Sequence, residues 1–154
     1  MPLSASLSSR LEFQHQTIAE LIEGYTEQEL KSRTIPDKWS AFENIAHLVL
    51  YQQVFQERIV QIMVETNPSF ERYVAENDPS FEEYLQYPLQ HLMELLYDTR
   101  KQICRQLHDL SENELLRTGQ HPLFGSLSVV QWTEFFLLHE AHHLFTVFKL
   151  LAKR

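Results

Sequence analysis

One cysteine, Cys104, in 154 residues leaves no partner for an internal disulfide, which points to a reducing compartment. Glycine is nearly as scarce, at three residues, and proline stops at six. A sheet protein needs tight turns in quantity, so this scarcity favours helices joined by a few loops. Positive charge is thin as well. Thirteen Lys and Arg stand against 21 Asp and Glu, for a formal charge of −8, with no basic block. The positive stripe of a nucleic-acid binder is missing, so no nucleic-acid partner is expected. No apolar run approaches the roughly 18 residues that a membrane span requires. The opening Met1-Pro2-Leu3-Ser4-Ala5-Ser6 has neither the charged start nor the apolar core of a secretory signal. The expectation is a cytoplasmic protein without membrane contact.

What is present is enough apolar material for a core: 44% hydrophobic and 12% aromatic residues. A chain of this length and composition reads as one domain over residues 1–154. Four helical segments emerge from the periodicity. Leu7, Leu11, Ile18, Leu21, Ile22 and Tyr25 recur at helical steps and predict one continuous first helix ending at Gly24. Ser40 and Glu43 form a capping box that opens a second helix, whose apolar seam (Ile45, Leu48, Phe55, Ile59, Ile62) is interrupted only by Gln52. An irregular connection follows from Thr66 to Pro79, with a short turn expected at Phe70–Ala75. It is too long for a simple helix hairpin, and its length suits a crossover along a bundle. Ser80-Phe81-Glu82-Glu83 resembles another cap, and Pro88 then kinks or restarts a third helix along Leu92, Leu96, Thr99, Ile103, Leu107 and Leu110. A loop through His121, Pro122 and Gly125 leads to a cap at Ser128 and Gln131, which opens the fourth helix.

Trp132, Phe136, His139, His143, Val147 and Leu150 form one stripe of that fourth helix. His139 and His143, four residues apart, stack on one face and point into the core, where two imidazoles so placed can hold one metal ion. His142 is offset by one position and, with Glu140, reads as a support or interface residue. Thr26-Glu27-Gln28-Glu29-Leu30 and Ser111-Glu112-Asn113-Glu114-Leu115 echo each other, each lying before a Ser cap and a His-bearing helix. If the halves correspond, His47 of the second helix faces His139 and His143. Three imidazoles suit zinc, nickel, copper or iron and leave an open coordination position, as catalytic zinc sites do. His15, His91, His108 and His121 read as structural histidines, and Cys104 as a small core residue.

Trp39-Ser40-x-x-Glu43-x-x-x-His47-Leu48, followed some ninety residues later by His139-x-x-x-His143, resembles the DinB/YfiT-like superfamily. The Glu-Leu element before the first motif and Phe124-Gly125 before the fourth helix also fit. The resemblance implies an all-α four-helix bundle of up-down-down-up topology, its long crossover between helices two and three. It further implies a divalent metal, most often nickel or zinc, on His47, His139 and His143. Family members with an assigned reaction mostly use low-molecular-weight thiols, which implies a thiol-dependent S-transferase acting on a small-molecule substrate. A metal-dependent hydrolase is the close alternative, and a non-enzymatic metal-binding, stress-associated bundle the third. Phe135, Leu138 and Phe145 lie off the histidine stripe and make the fourth helix apolar nearly all round, so a homodimer through helices two and four or their neighbours is expected.

Overall fold

The computed structural model describes residues 3–152, so Met1 and Pro2 of the amino-terminal stretch lie outside it. The first stave of the bundle is α1 (Ala5–Phe13) and α2 (Thr17–Ile22), joined by a 3-10 turn at Gln14–Gln16. A short helix, α3 (Glu27–Lys31), leads to the second stave, α4 (Ala41–Val64). The crossover carries a 3-10 turn at Ala75–Asn77 and a short helix, α5 (Pro79–Leu85), before the third stave, α6 (Leu89–Asp109). Then come α7 (Glu112–Leu115), a hairpin of β1 (Thr118–His121) and β2 (Gly125–Ser128), and the fourth stave, α8 (Val129–Ala152).

Local chemistry sets most of these boundaries. Ser40 Oγ accepts from the Glu43 N–H at 3.1 Å while the Ser40 N–H donates to the Glu43 carboxylate at 2.6 Å, satisfying two otherwise orphaned helix donors. The echoing elements close the same reciprocal box at Thr26 with Glu29 and at Ser111 with Glu114. Ser128 and Gln131 exchange equivalent bonds at the start of α8. Gly24, at φ +83°, ends the first stave in a conformation that suits glycine.

The third-helix expectation needs one correction. The cap is Asp78, whose carboxylate accepts from the Ser80 N–H with Pro79 as the first helical residue, so the Ser80–Glu83 pair starts nothing. Pro88 restarts the chain, standing as N-cap of α6 after α5 has ended. Its ring lacks a donor and disfavours helix at the preceding residue.

Two buried clusters fix the direction of each stave. Leu7 and Leu11 pack with Phe55, Ile59, Ile103, Leu107, Trp132 and Phe136 at one end, while Ile18, Ile45, Leu48, Leu92, Leu96 and Val147 pack at the other. α1–α2 and α8 therefore run from the first end to the second, and α4 and α6 run the opposite way. That is up-down-down-up. The parallel pair α4 and α6 requires the connection to travel the length of the bundle, which is the work of residues 65–78.

The hairpin replaces the loop expected before α8. Its pairs run from Thr118 with Ser128 to His121 with Gly125, but its polar strands lack the alternation that marks a half-buried strand. It lies directly on the core because Gly119 has no side chain: a Cβ there would stand 2.7 Å from Phe70 and 3.0 Å from Ile62. The hairpin also holds the crossover, through Gln120 N–H to Pro68 O at 2.7 Å and Phe70 N–H to Gln120 O at 3.0 Å. Phe70 is thus tied down in extended pairing, and the single turn of the crossover falls later than expected, at Ala75.

The first stave is not continuous, and the break coincides with a buried polar network. The Arg100 guanidinium, 1% exposed, donates to the Leu11 carbonyl at 3.0 Å and to Gln52 Oε1 at 2.7 Å, and pairs with the Glu140 carboxylate, itself 1% exposed. The Gln14 amide at the turn donates to Leu137 O at 2.8 Å and Glu140 Oε1 at 3.0 Å. Gln52, the one polar position in the α4 seam, also donates to Leu96 O at 3.0 Å. Glu140 is therefore a core partner of Arg100, since neighbouring helix positions point about 100° apart. On the outside of α8, Leu138 and Phe145 are exposed and Phe135 is half-buried.

Arg100→Met should destabilise the protein by about 3–5 kcal/mol in urea unfolding, because it strands the Glu140 carboxylate in the core. Adding Glu140→Leu should recover most of that loss.

Candidate metal centre

His47 lies in the second turn of α4, and His139 and His143 lie on consecutive turns of α8. Because the two helices run antiparallel, all three imidazoles meet. One ring nitrogen from each lies within 4.8 Å of the others. His47 Nε2 and His139 Nε2 are 3.1 Å apart. Two nitrogens bound to one cation at about 2.1 Å would stand roughly 3.0 to 3.4 Å apart, for right-angled to tetrahedral arrangements. The His143 Nδ1–H donates to Asn44 Oδ1 at 2.8 Å, which leaves its Nε2 free as a ligand atom.

Two features fit these residues to a cation. Among the described residues the Nδ1 atoms of His47 and His139 are buried with no hydrogen-bond partner, at a cost of about 1–3 kcal/mol each, so no acceptor or donor there fixes the tautomer and Nε2 of both rings is free to act as a ligand atom. In addition, burial holds the rings in the neutral form that binds metal. It lowers His47 to about 4 and, helped by the nearby imidazoles, His143 to about 3. Burial pushes His139 down as well, and the adjacent His143 and His47 imidazoles add to the cost of placing a proton there.

The walls are aromatic. Tyr51, one turn beyond His47, lies 4.1 Å from the His139 ring, and Trp39 lies 5.1 Å from His47. Two cavities open from the site. One of about 650 Å³ is lined by all three histidines together with Tyr51, Arg58, Phe124 and Phe135. The other, of about 780 Å³, reaches His143 past Asn44, His142 and Lys149. Trp39, Arg72, Glu76 and His143 line both.

The remaining histidines separate from this cluster. His142 is exposed with its ring 5.3 Å from that of His143, beside the second cavity. His15 is buried against Arg100, whose charge adds to burial in lowering it to about 3. His91 and His108 are exposed beside Glu94 and Glu12. His121 accepts the N–H groups of Leu123 and Phe124 with Nδ1, closing its own turn while lining the first cavity. The half-buried Cys104 thiol faces the Leu11 carbonyl, and burial pushes its pKa up, as suits a packing residue. The sequence reading missed Asn44, Tyr51 and Arg58. The available signal was their placement on α4, with Asn44, Tyr51 and Arg58 at three, four and eleven residues from His47, on one face of the helix.

This fold and histidine set define a class. Residues 10–147 match the model of the DinB superfamily, and the chain belongs to that superfamily. It is 26% identical over 116 residues to "Putative metal-dependent hydrolase OB0782" from Oceanobacillus iheyensis, covering 75% of this chain and 67% of that one. Among solved structures it resembles YfiT from Bacillus subtilis, described as "a probable metal-dependent hydrolase with an unusual four-helix bundle topology", with TM-score 0.84, 15% identity, and 96% and 85% of the two chains covered. It also resembles TT2238, "a four-helix bundle protein", with TM-score 0.66, 18% identity, and 92% and 95% covered. No helix among the described residues is long and apolar enough to cross a membrane.

Asn44→Ala should weaken divalent-metal binding about 10- to 100-fold in competition with a chromophoric chelator, by releasing the His143 ring. The metal-free protein should also lose stability in acid. His47, His143 and His15 titrate lower when folded than the usual 6.5, so the unfolded chain takes up protons first. Their contribution is present above pH 6.5 and is lost as the pH falls from there toward about 3; urea midpoints across that range measure it.

Proposed function

We propose that this protein is a metal-dependent enzyme that activates a low-molecular-weight thiol and transfers its sulfur to a small electrophile. The observation that carries the reading is the convergence of three neutral imidazoles from two helices on one point flanked by two cavities. Zinc or nickel suits such a donor set. When bound there, the cation supplies a Lewis acid that makes a thiol or water a nucleophile near neutral pH.

The chain's own residues supply position and exclusion. His47, His139 and His143 contribute no negative charge, so the charge of the cation stays available to an anionic nucleophile. Asn44 fixes the tautomer of His143 by accepting its Nδ1–H. Trp39 and Tyr51 wall the imidazoles from bulk water. Transfer between two molecules needs space on two sides of the reacting atom, and the cavities meeting at Trp39 and His143 provide it. In the reaction a sulfur–carbon bond forms, the thiol proton passes to solvent, and the leaving group departs from the electrophile.

A second reading, hydrolysis with water as the nucleophile, draws on the names of the relatives from Oceanobacillus iheyensis and Bacillus subtilis. Zinc- or nickel-loaded protein, given a small thiol and an activated aryl halide, should form the thioether and release halide. His143→Ala should abolish that turnover. Ester cleavage at an undiminished rate without thiol would replace the transferase by a hydrolase. Absence of both reactions, with a melting temperature that collapses on chelation, would reduce the ion to a structural clamp.

A further inference from the structure

Arg58 is a cation built into the wall of the histidine cavity, and the reaction sketched above assigns it no task. Its guanidinium lies 5.4 Å from the ring centres of both Phe70 and Trp132, and one of its amino groups donates to the Glu71 carbonyl at 3.0 Å. Two aromatic faces, one carbonyl and the Tyr51 hydroxyl hold the group in place, yet among the described residues it pairs with no carboxylate. Glu71 offers its backbone, and its side chain belongs to an exposed residue. In a chain of net charge −8, an ordered, half-buried arginine without an acidic partner is a group held for something that arrives from outside.

Its direction is set by the helix. Arg58 is eleven residues beyond His47, three turns or roughly 16 Å along α4 and nearly in line with it. Helical side chains lean toward the amino terminus, so the guanidinium reaches back toward Tyr51 and the imidazoles. There it meets the Tyr51 hydroxyl, which stands on the same cavity wall as the histidines. The wall that Arg58 shares with the histidines is largely aromatic, with Tyr51, Phe124 and Phe135.

We propose that Arg58 binds the carboxylate of an organic acid substrate, whose apolar body lies along these rings and whose far end meets the imidazoles. This rests on the reading of the histidines as the reacting end. The guanidinium fork matches a carboxylate in two hydrogen bonds. A singly charged head is favoured over a phosphate dianion because the exposed Glu71 and Glu76 line the same cavity and repel the second charge.

The test compares 3-phenylpropanoate with its neutral amide, titrated by calorimetry or ligand-observed NMR into metal-free and zinc-loaded protein. Wild type should prefer the carboxylate by about tenfold or more. Arg58→Met should erase that preference, and Arg58→Lys, which keeps the charge but not the fork, should retain only part of it. Arg105→Met, at an exposed arginine that lines neither cavity, should leave it unchanged. Equal binding of acid and amide by wild type overturns the assignment. So does an equal loss in the Arg105 and Arg58 variants, which would mean diffuse attraction. Should Arg58→Met melt early, the lysine variant decides: full retention of the preference counts against the fork. Because the preference is also read without metal, failure of the protein to take up zinc would sink the metal reading while leaving this measurement intact.

Discussion

α4 and α8 pack antiparallel along a seam in which Phe55 stacks on Phe136 at 4.3 Å and 8° between ring planes. With that contact set, a step of two turns toward the amino end of α4 meets a step of one or two turns toward the carboxyl end of α8. Position 47 then faces positions 139 and 143, and Asn44 meets His143. A shift of either helix by one residue would turn the imidazoles away from one another by about 100°. The site therefore follows from the packing of two helices, each begun by a reciprocal side-chain cap that fixes where its first turn starts.

Much of this was legible because it depends on periodicity and capping, which are local. The staves, their caps and the inward-facing histidines of α8 all follow from spacing along one chain segment. The pairing of His47 with them is long-range, and it was reached through the internal echo and the family resemblance. What stayed hidden is polar chemistry that works only through distant partners. Arg100 sits beside Thr99 in the apolar stripe of α6, and nothing local distinguishes it from a solvated arginine. Its partners Gln52 and Glu140 are 48 and 40 residues away. Gln52 was visible as an anomaly in the α4 seam, and that anomaly was the trace of the network. The hairpin was hidden for a different reason, since strands reading Thr-Gly-Gln-His and Gly-Ser-Leu-Ser carry no hydrophobic alternation.

The polar core and the histidine cluster solve opposite problems within one bundle. Around Arg100 the buried groups find partners, so the charge ties α1, α4 and α8 to α6. Around His47 and His139 two nitrogens go without partners. Among the described residues no carboxylate backs either ring, and Asn44 is the one hydrogen-bond partner that orients a member of the set. Desolvation keeps the imidazoles neutral at physiological pH, so the cluster is ready to accept a cation without first releasing protons. Buried charge is compensated in the first group and ligand atoms are left available in the second.

The route of the crossover has an evolutionary corollary. The imidazoles stand on two long helices, whereas Arg72 and Glu76 come from residues 65–78 and Phe124 from the hairpin that pins them. Substitutions in these surface segments would reshape part of the cavity lining while leaving the two helices that carry the imidazoles in place. The bundle is thus a frame whose histidine seam does not depend on its outer lining, and solved neighbours keep this fold at only 15% and 18% identity.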